Sequence, residues 1–308
     1  MKKNREISST FRCPLEEFEE ETREDISQLW ADMENADIAH HVQCTDTELA
    51  KAYKNVKVEI ASEESTASQF SFITYAAAAV FLMVATGIAY LLMPVKVQVP
   101  AGETKTIQMS DNSTIHLNSG SVLSYSHLFN WWSRNVRLKG EAFFEIKSSE
   151  HPFRVVTGNA SVEVLGTKFN VRYWPNEKDN MTSVFLSEGK VLLQATGTNN
   201  SVTLHPGKQS WISNNHPSPV APRPVDPTKA LAWQQDSFAF ENQHLSSIFK
   251  EIQRRFDVKI NYHPNISNDK ITIYLSDIET AEMAIKDICR AKGLIYKKKN
   301  DSFLIYRN

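Results

Sequence analysis

Three cysteines in 308 residues leave little for a disulfide framework. Cys13 and Cys44 precede the longest apolar run and Cys289 stands alone after it, so the part beyond that run has no internal disulfide, and a disulfide-built secreted scaffold is excluded. Metal-ligand spacings are also missing: there is no HExxH, no CxxC and no Cys/His cluster. His40-His41 comes nearest, but adjacent residues on a helix do not face the same way. Gly-rich phosphate loops and a G-x-S-x-G elbow are absent too. These gaps lead us to expect no enzyme, no cofactor and no metal. Residues 1–30 contain no apolar run, so a cleavable secretion signal is not expected.

Charge is missing from one place. Residues 70–93, FSFITYAAAAVFLMVATGIAYLLM, carry none, and Pro94 follows. As a helix this run would be about 36 Å long, enough to cross a hydrocarbon core of roughly 30 Å. We read it as a transmembrane helix that serves as both export signal and anchor. Lys51, Lys54 and Lys57 on one side outnumber Lys96 and Lys105 on the other, which places the N-terminus in the cytoplasm. The formal net charge of −2 hides an asymmetry. Residues 1–69 hold 16 acidic against 8 basic residues, a net of −8, and the rest of the chain carries +6.

Within residues 1–69, Leu15, Phe18, Ile26, Leu29 and Met33 recur at three- or four-residue steps, with Thr22 filling the gap and Trp30 beside the stripe. That is one face of an amphipathic helix. Thr45-Asp46-Thr47-Glu48 is a capping-box pattern, followed by Leu49, Tyr53, Val56 and Ile60 on one face of a second helix. Such helices need a small bundle or a partner's groove to complete a core. Their acidity suits a basic, DNA-binding protein, with no direct contact to nucleic acid.

After Pro94 short runs rich in Val, Ile and Thr alternate with turn residues. Strands are expected at 95–99, 104–109, 113–117, 136–138, 142–146, 153–157, 161–165, 169–173, 182–186, 191–194, 202–204 and 209–212, a spacing that fits a sandwich, a barrel or an irregular solenoid. Five prolines between 214 and 230 favour an extended connection. Beyond it the pattern reads strand, helix (245–256), two strands, helix (281–291) and two strands, with Gly293 as a stop signal. The expected organisation is therefore multidomain. A helical segment (1–69) leads into one transmembrane helix (70–93) and an all-β domain (94–213), then a Pro-rich connection (214–230) and a small α+β module (231–308).

Two features invite chemistry. Glu141 and Glu145 fall on one strand face, the arrangement of a glycosidase pair, although a solvated face explains them as well. Trp131-Trp132 could stack on sugars, although a loop-anchoring role is the commoner one. A membrane-anchored binding or adhesion protein with a glycan-binding β domain is thus the rival reading.

The pieces PAGETKTIQMSDNSTIHLNSGSVLSY (100–125), RNVRLKGEAFFEIKSSEHPFRVVT (134–157), VEVLGTKFNVRYW (162–174), LSEGKV (186–191) and LHPGKQ (204–209) resemble, in that order, the periplasmic domain of the FecR-like anti-sigma factors. The family usually has Asp-Gly-Ser where this chain has Asp111-Asn112-Ser113, and Asn also tolerates a left-handed turn. Residues 238–306 resemble the C-terminal domain of Bacteroidetes members, similar to the short signalling module of secretins and TonB-dependent transporters.

The resemblance implies a single-pass inner-membrane regulator. The resemblance gives it two partners, the N-terminal signalling domain of an outer-membrane TonB-dependent transporter and an extracytoplasmic-function sigma factor, for which the apolar stripe offers Ile26, Leu29, Trp30 and Met33 as contacts. It also implies a self-cleavage candidate at Gly166-Thr167, where some members are thought to cut themselves. There the plainer role is structural: Gly166 relieves a crowded position and Thr167 starts a strand.

Overall fold

The computed structural model describes residues 74–307 except 176, with positions 51, 54, 55 and 72 before them. Ile26, Leu29, Trp30, Met33, His40-His41 and the apolar faces of the two helices expected before residue 61 lie outside the described residues. The chain divides into two units, Met1–Leu82 and Met83–Asn308.

Helix α1 (Thr74–Leu92) is long and apolar enough to cross a membrane, and its large apolar side chains are exposed. Thr86 Oγ1 donates to the Met83 carbonyl at 2.9 Å, so the helix satisfies that hydroxyl internally. One residue, Met93, separates α1 from the first strand.

The β domain is one curled sheet of thirteen strands. They are β1 (Pro94–Gln98), β2 (Lys105–Gln108), β3 (Thr114–Leu117), β4 (Val122–Ser126), β5 (Arg134–Glu145), β6 (Phe153–Val156), β7 (Ala160–Val164), β8 (Lys168–Tyr173), β9 (Thr182–Glu188), β10 (Val191–Ala195), β11 (Ser201–Leu204), β12 (Lys208–Ile212) and β13 (Arg223–Pro224). Two short strands were expected at 136–138 and 142–146; a single twelve-residue strand, β5, replaces them. Its first half pairs with β4 and, in parallel, with β6, whereas its second half pairs with β3 and β8. Because both wings share β5, the sheet curls around one core instead of forming two separate sheets.

Gly140 makes the bend between the halves of β5. Its φ is 132°, and a Cβ there would lie 2.6 Å from Ser121 Cβ. Ser121 Oγ ties the bend by accepting from Glu141 N and donating to Glu141 O, each at 3.0 Å. The alternating inward residues of the wings, among them Leu123, Leu138, Val155, Val162, Phe144, Phe169 and Val184, form the core. Phe144 stacks on Phe169 with ring centroids 5.0 Å apart.

Asn112 adopts φ 62°, and Ser113 N donates to Asp111 Oδ1 at 2.9 Å, so Asn serves this turn as Gly would. The other Asp111 oxygen meets Arg134 Nη2 at 2.7 Å in a buried pair, and Arg134 also donates to the carbonyls of Lys147 and His151. Within the Pro-rich connection Arg223–Pro224 adds an edge strand to β12, a place where a missing N–H is tolerated. Helix α2 (Pro227–Ala230) follows, capped by Asp226.

The C-terminal module runs β14 (Phe238–His244), α3 (Leu245–Phe256), β15 (Lys259–Tyr262), β16 (Lys270–Leu275), α4 (Ala281–Lys292), β17 (Leu294–Lys299) and β18 (Ser302–Arg307). β14 pairs with β16, and β18 lies between β15 and β17. Leu245, Ile248, Phe249 and Ile252 give α3 a buried stripe against Ile285 and Ile288 of α4 and the strands. Thr280 caps α4, and Gly293 ends it in the left-handed conformation with φ 63°. Burial raises the Cys289 thiol to about 11, which leaves this lone cysteine a packing residue and a poor nucleophile at neutral pH.

Candidate functional site: the seam between the β domain and the C-terminal module

Helix α3 presents two faces. Its apolar stripe fills the module, and Glu251 and Arg254 point back to the β domain. The turns before β2 and after β3 receive its C-terminal end: Gly102 N donates to the Arg254 carbonyl at 2.8 Å, and a Cβ on Gly120 would meet the Arg254 side chain at 3.2 Å.

Five charged side chains meet in the seam. Arg172 Nη1 reaches Glu141 Oε2 at 3.1 Å, and Arg172 Nη2 reaches Glu251 Oε2 at 2.8 Å and Glu177 Oε2 at 3.4 Å. Glu177 Oε1 accepts from Arg254 Nη2 at 2.7 Å, and the Arg254 guanidinium lies 3.8 Å from the centroid of Trp174. Glu141 also accepts from Asn118 Nδ2 and Asn170 Nδ2, and Asn170 Oδ1 in turn accepts from Trp233 Nε1 at 3.1 Å.

Three carboxylates thus face two guanidiniums. Burial would lower Arg172, but Glu251, Glu177 and Glu141 together hold it above its ordinary value, so it stays charged. The acid in excess is Glu251: burial raises its carboxyl by more than Arg172 lowers it.

This corrects the expectation of a solvated face for Glu141, while Glu145, with 40 % of its side chain exposed, keeps it. Glu141 is buried beneath the module, and Glu145 turns instead to His116 Nε2, 3.1 Å away. Each carboxylate has its own partners, which is not the arrangement of an acid/base pair sharing one substrate. Trp131 and Trp132 are not loop anchors either: both project into solvent, and Phe129 between Tyr125 and Phe153 holds the loop instead.

At the self-cleavage candidate, a Cβ on Gly166 would meet Ser148 Cα at 2.7 Å, so the crowding expected of this glycine is there. Thr167 directly precedes β8. Its hydroxyl is buried and has no hydrogen-bond partner. A free hydroxyl next to a glycine carbonyl is one requirement of an acyl shift; an activating base or oxyanion donor is the other.

The FecR protein family matches residues 95–192, and the FecR C-terminal domain family matches residues 237–305, together more than half of the chain. The chain belongs to the FecR-like anti-sigma factor family. Two crystal structures of a candidate anti-sigma factor from Parabacteroides distasonis ATCC 8503 are similar to it, each at 28 % identity over 70 % of this chain. The similarity covers 100 % and 99 % of those chains, with TM-scores of 0.64 and 0.63. No curated protein matches the sequence.

Proposed function

We propose that this regulator of sigma-factor signalling is a single-pass inner-membrane protein that relays a signal from an outer-membrane TonB-dependent transporter to an extracytoplasmic-function sigma factor. Residues 1–69 hold the sigma factor in the cytoplasm, and the β domain and C-terminal module stand in the periplasm. The observation that carries the reading is chain order. A membrane-length helix passes through one residue into the FecR-like sheet, and the C-terminal module is seated on that sheet.

The transporter's N-terminal signalling domain docks on the module. β15 and β17 are the outer strands of its three-stranded sheet, and an outer strand can accept a partner strand through backbone hydrogen bonds. Lys297, Lys298 and Lys299 on β17 discourage indiscriminate pairing there.

A sigma-dependent reporter tests the relay. The full-length protein should hold the reporter low and release it on induction, and a chain ending at residue 230 should lose the response to inducer. A normal response from the shortened chain removes the module from the relay. Alkaline phosphatase fused after residue 308 should be active, and an inactive fusion reverses the orientation.

A further inference from the structure

Apart from those on α1, the most exposed large apolar side chains among the described residues are Trp131 and Trp132, at 92 % and 87 %. They share one turn, residues 127–133, and the sheet register fixes where that turn sits. β1 pairs antiparallel with β4 so that Pro94 lies opposite Ser126. Neighbouring strands are about 4.8 Å apart, so the turn leaves the sheet beside the point where α1 enters it. A side-chain contact agrees with the register: the Tyr90 ring, in the last turn of α1, lies 4.7 Å from the His127 ring.

The turn is rigid. Trp131 N and Trp132 N both donate to the Leu128 carbonyl at 3.1 Å, Asn130 N donates to the Ser133 carbonyl, and Leu128 N donates to Ser126 Oγ. Asn130 takes φ 70°, and Phe129 is driven into the core. Two indoles are therefore held outward on a short, braced turn. Their apolar bodies are bare, and each carries one N–H donor. Where α1 crosses a bilayer, its last turn ends in the polar layer, which is roughly 5–8 Å thick on each side. Tryptophan partitions to that layer because its ring is apolar and its N–H seeks a polar partner.

We propose that the 127–133 turn is a membrane foothold, with Trp131 and Trp132 seated among the phospholipid headgroups of the leaflet from which β1 emerges. The proposal rests on the reading of α1 as a membrane span. With only Met93 between α1 and β1, this second attachment fixes the tilt of the β domain over the bilayer.

The test uses the full-length protein in phosphatidylcholine vesicles beside the Trp131→Ala/Trp132→Ala variant. Both side chains are exposed, so the fold should survive, and unchanged circular dichroism checks this. Subtracting the variant's emission from that of the unsubstituted protein isolates the pair from Trp30, Trp174, Trp211 and Trp233. Lipids brominated near the headgroup end of the acyl chain should at least halve the pair's emission, and iodide should quench it several-fold less than it quenches free tryptophan. A pair that stays open to iodide and ignores brominated lipid overturns the foothold; a pair reserved for glycan would give that result. Alkaline carbonate extraction separates the two readings. Retention of both proteins with an iodide-accessible pair overturns the foothold alone, whereas release of both overturns the span and the foothold with it.

Discussion

Replacing Arg172 by Ala should loosen the C-terminal module from the β domain. The substitution strands two carboxylates at once. Glu141, whose side chain is 6 % exposed, loses its ion pair at 3.1 Å, and Glu251, 16 % exposed, loses the one at 2.8 Å. Removing one partner of a buried pair costs about 3–5 kcal/mol. The lower end applies, because Glu141 keeps its two amide donors and Glu177 keeps Arg254. A loss of about 3 kcal/mol multiplies the undocked population roughly a hundredfold. When opening is fast relative to cleavage, protease attack follows that population. The assay is therefore cleavage within residues 214–230 of the full chain in detergent micelles, with Lys168→Ala as control. Lys168 pairs with Glu188 at 3.2 Å on the surface, where such a pair is worth less than about 1 kcal/mol. We expect Arg172→Ala to be cut at least ten times faster than the control. Equal rates would show that the seam is not held by this cluster.

Glu251 makes the same seam pH-dependent. Its folded-state carboxyl is raised above the ordinary 4.5, so the unfolded or undocked form ionises first and docking strengthens as pH falls through the raised value. Glu251→Gln should flatten that dependence, read as cleavage rate from pH 8 to pH 5; a profile unchanged by the substitution refutes the assignment. Trp30→Ala should weaken sigma-factor binding more than any single Glu→Gln between Glu16 and Asp25, because aromatic anchors dominate interfaces and exposed acids mainly set on-rate and salt dependence. Affinities that show no loss with Trp30→Ala would remove that anchor. At Gly166-Thr167, attack of Thr167 Oγ1 on the Gly166 carbonyl carbon would break the C–N bond and form an ester with a free Thr167 amine. Water would then hydrolyse the ester, leaving Gly166 as a carboxylate. Mass spectrometry of purified protein held for days at neutral pH decides between this and the structural role: two fragments that vanish with Thr167→Ala establish the shift, and an intact mass leaves Gly166 a crowded glycine.

Much of the fold was legible because the signals were local. The 3.6-residue period from Leu245 to Phe256 gave α3 its observed limits, Gly293 ended α4 as expected, and most β-domain strands fall within one or two residues of their expected places. β4 was missed because Val122–Ser126 mixes two apolar residues with two serines and a tyrosine in a serine-rich stretch that reads as turn. β5 was split because Gly140 reads as a stop. Only the pairing of its halves with different neighbours reveals a bend inside one strand.

The seam was not legible, and the reason is physical. Its charges sit at 141, 172, 177, 251 and 254, and in sequence each looks like an ordinary polar position on a strand, a turn or a helix face. Glu251 and Arg254, three apart on α3, read as the solvated side of an amphipathic helix, which they would be in the module alone. What buries them is a second surface contributed by β5, β8 and two glycine turns far away in the chain. A faint signal was present: Arg172 and Glu141 are register partners on adjacent strands, a cross-strand pair of opposite charge. Such pairs are common on exposed sheets, so the pair alone could not distinguish a wet face from a docking face. Burial makes the distinction, because only a covered Glu141 needs three donors from three residues and a helix from another module to satisfy it and exclude water around it.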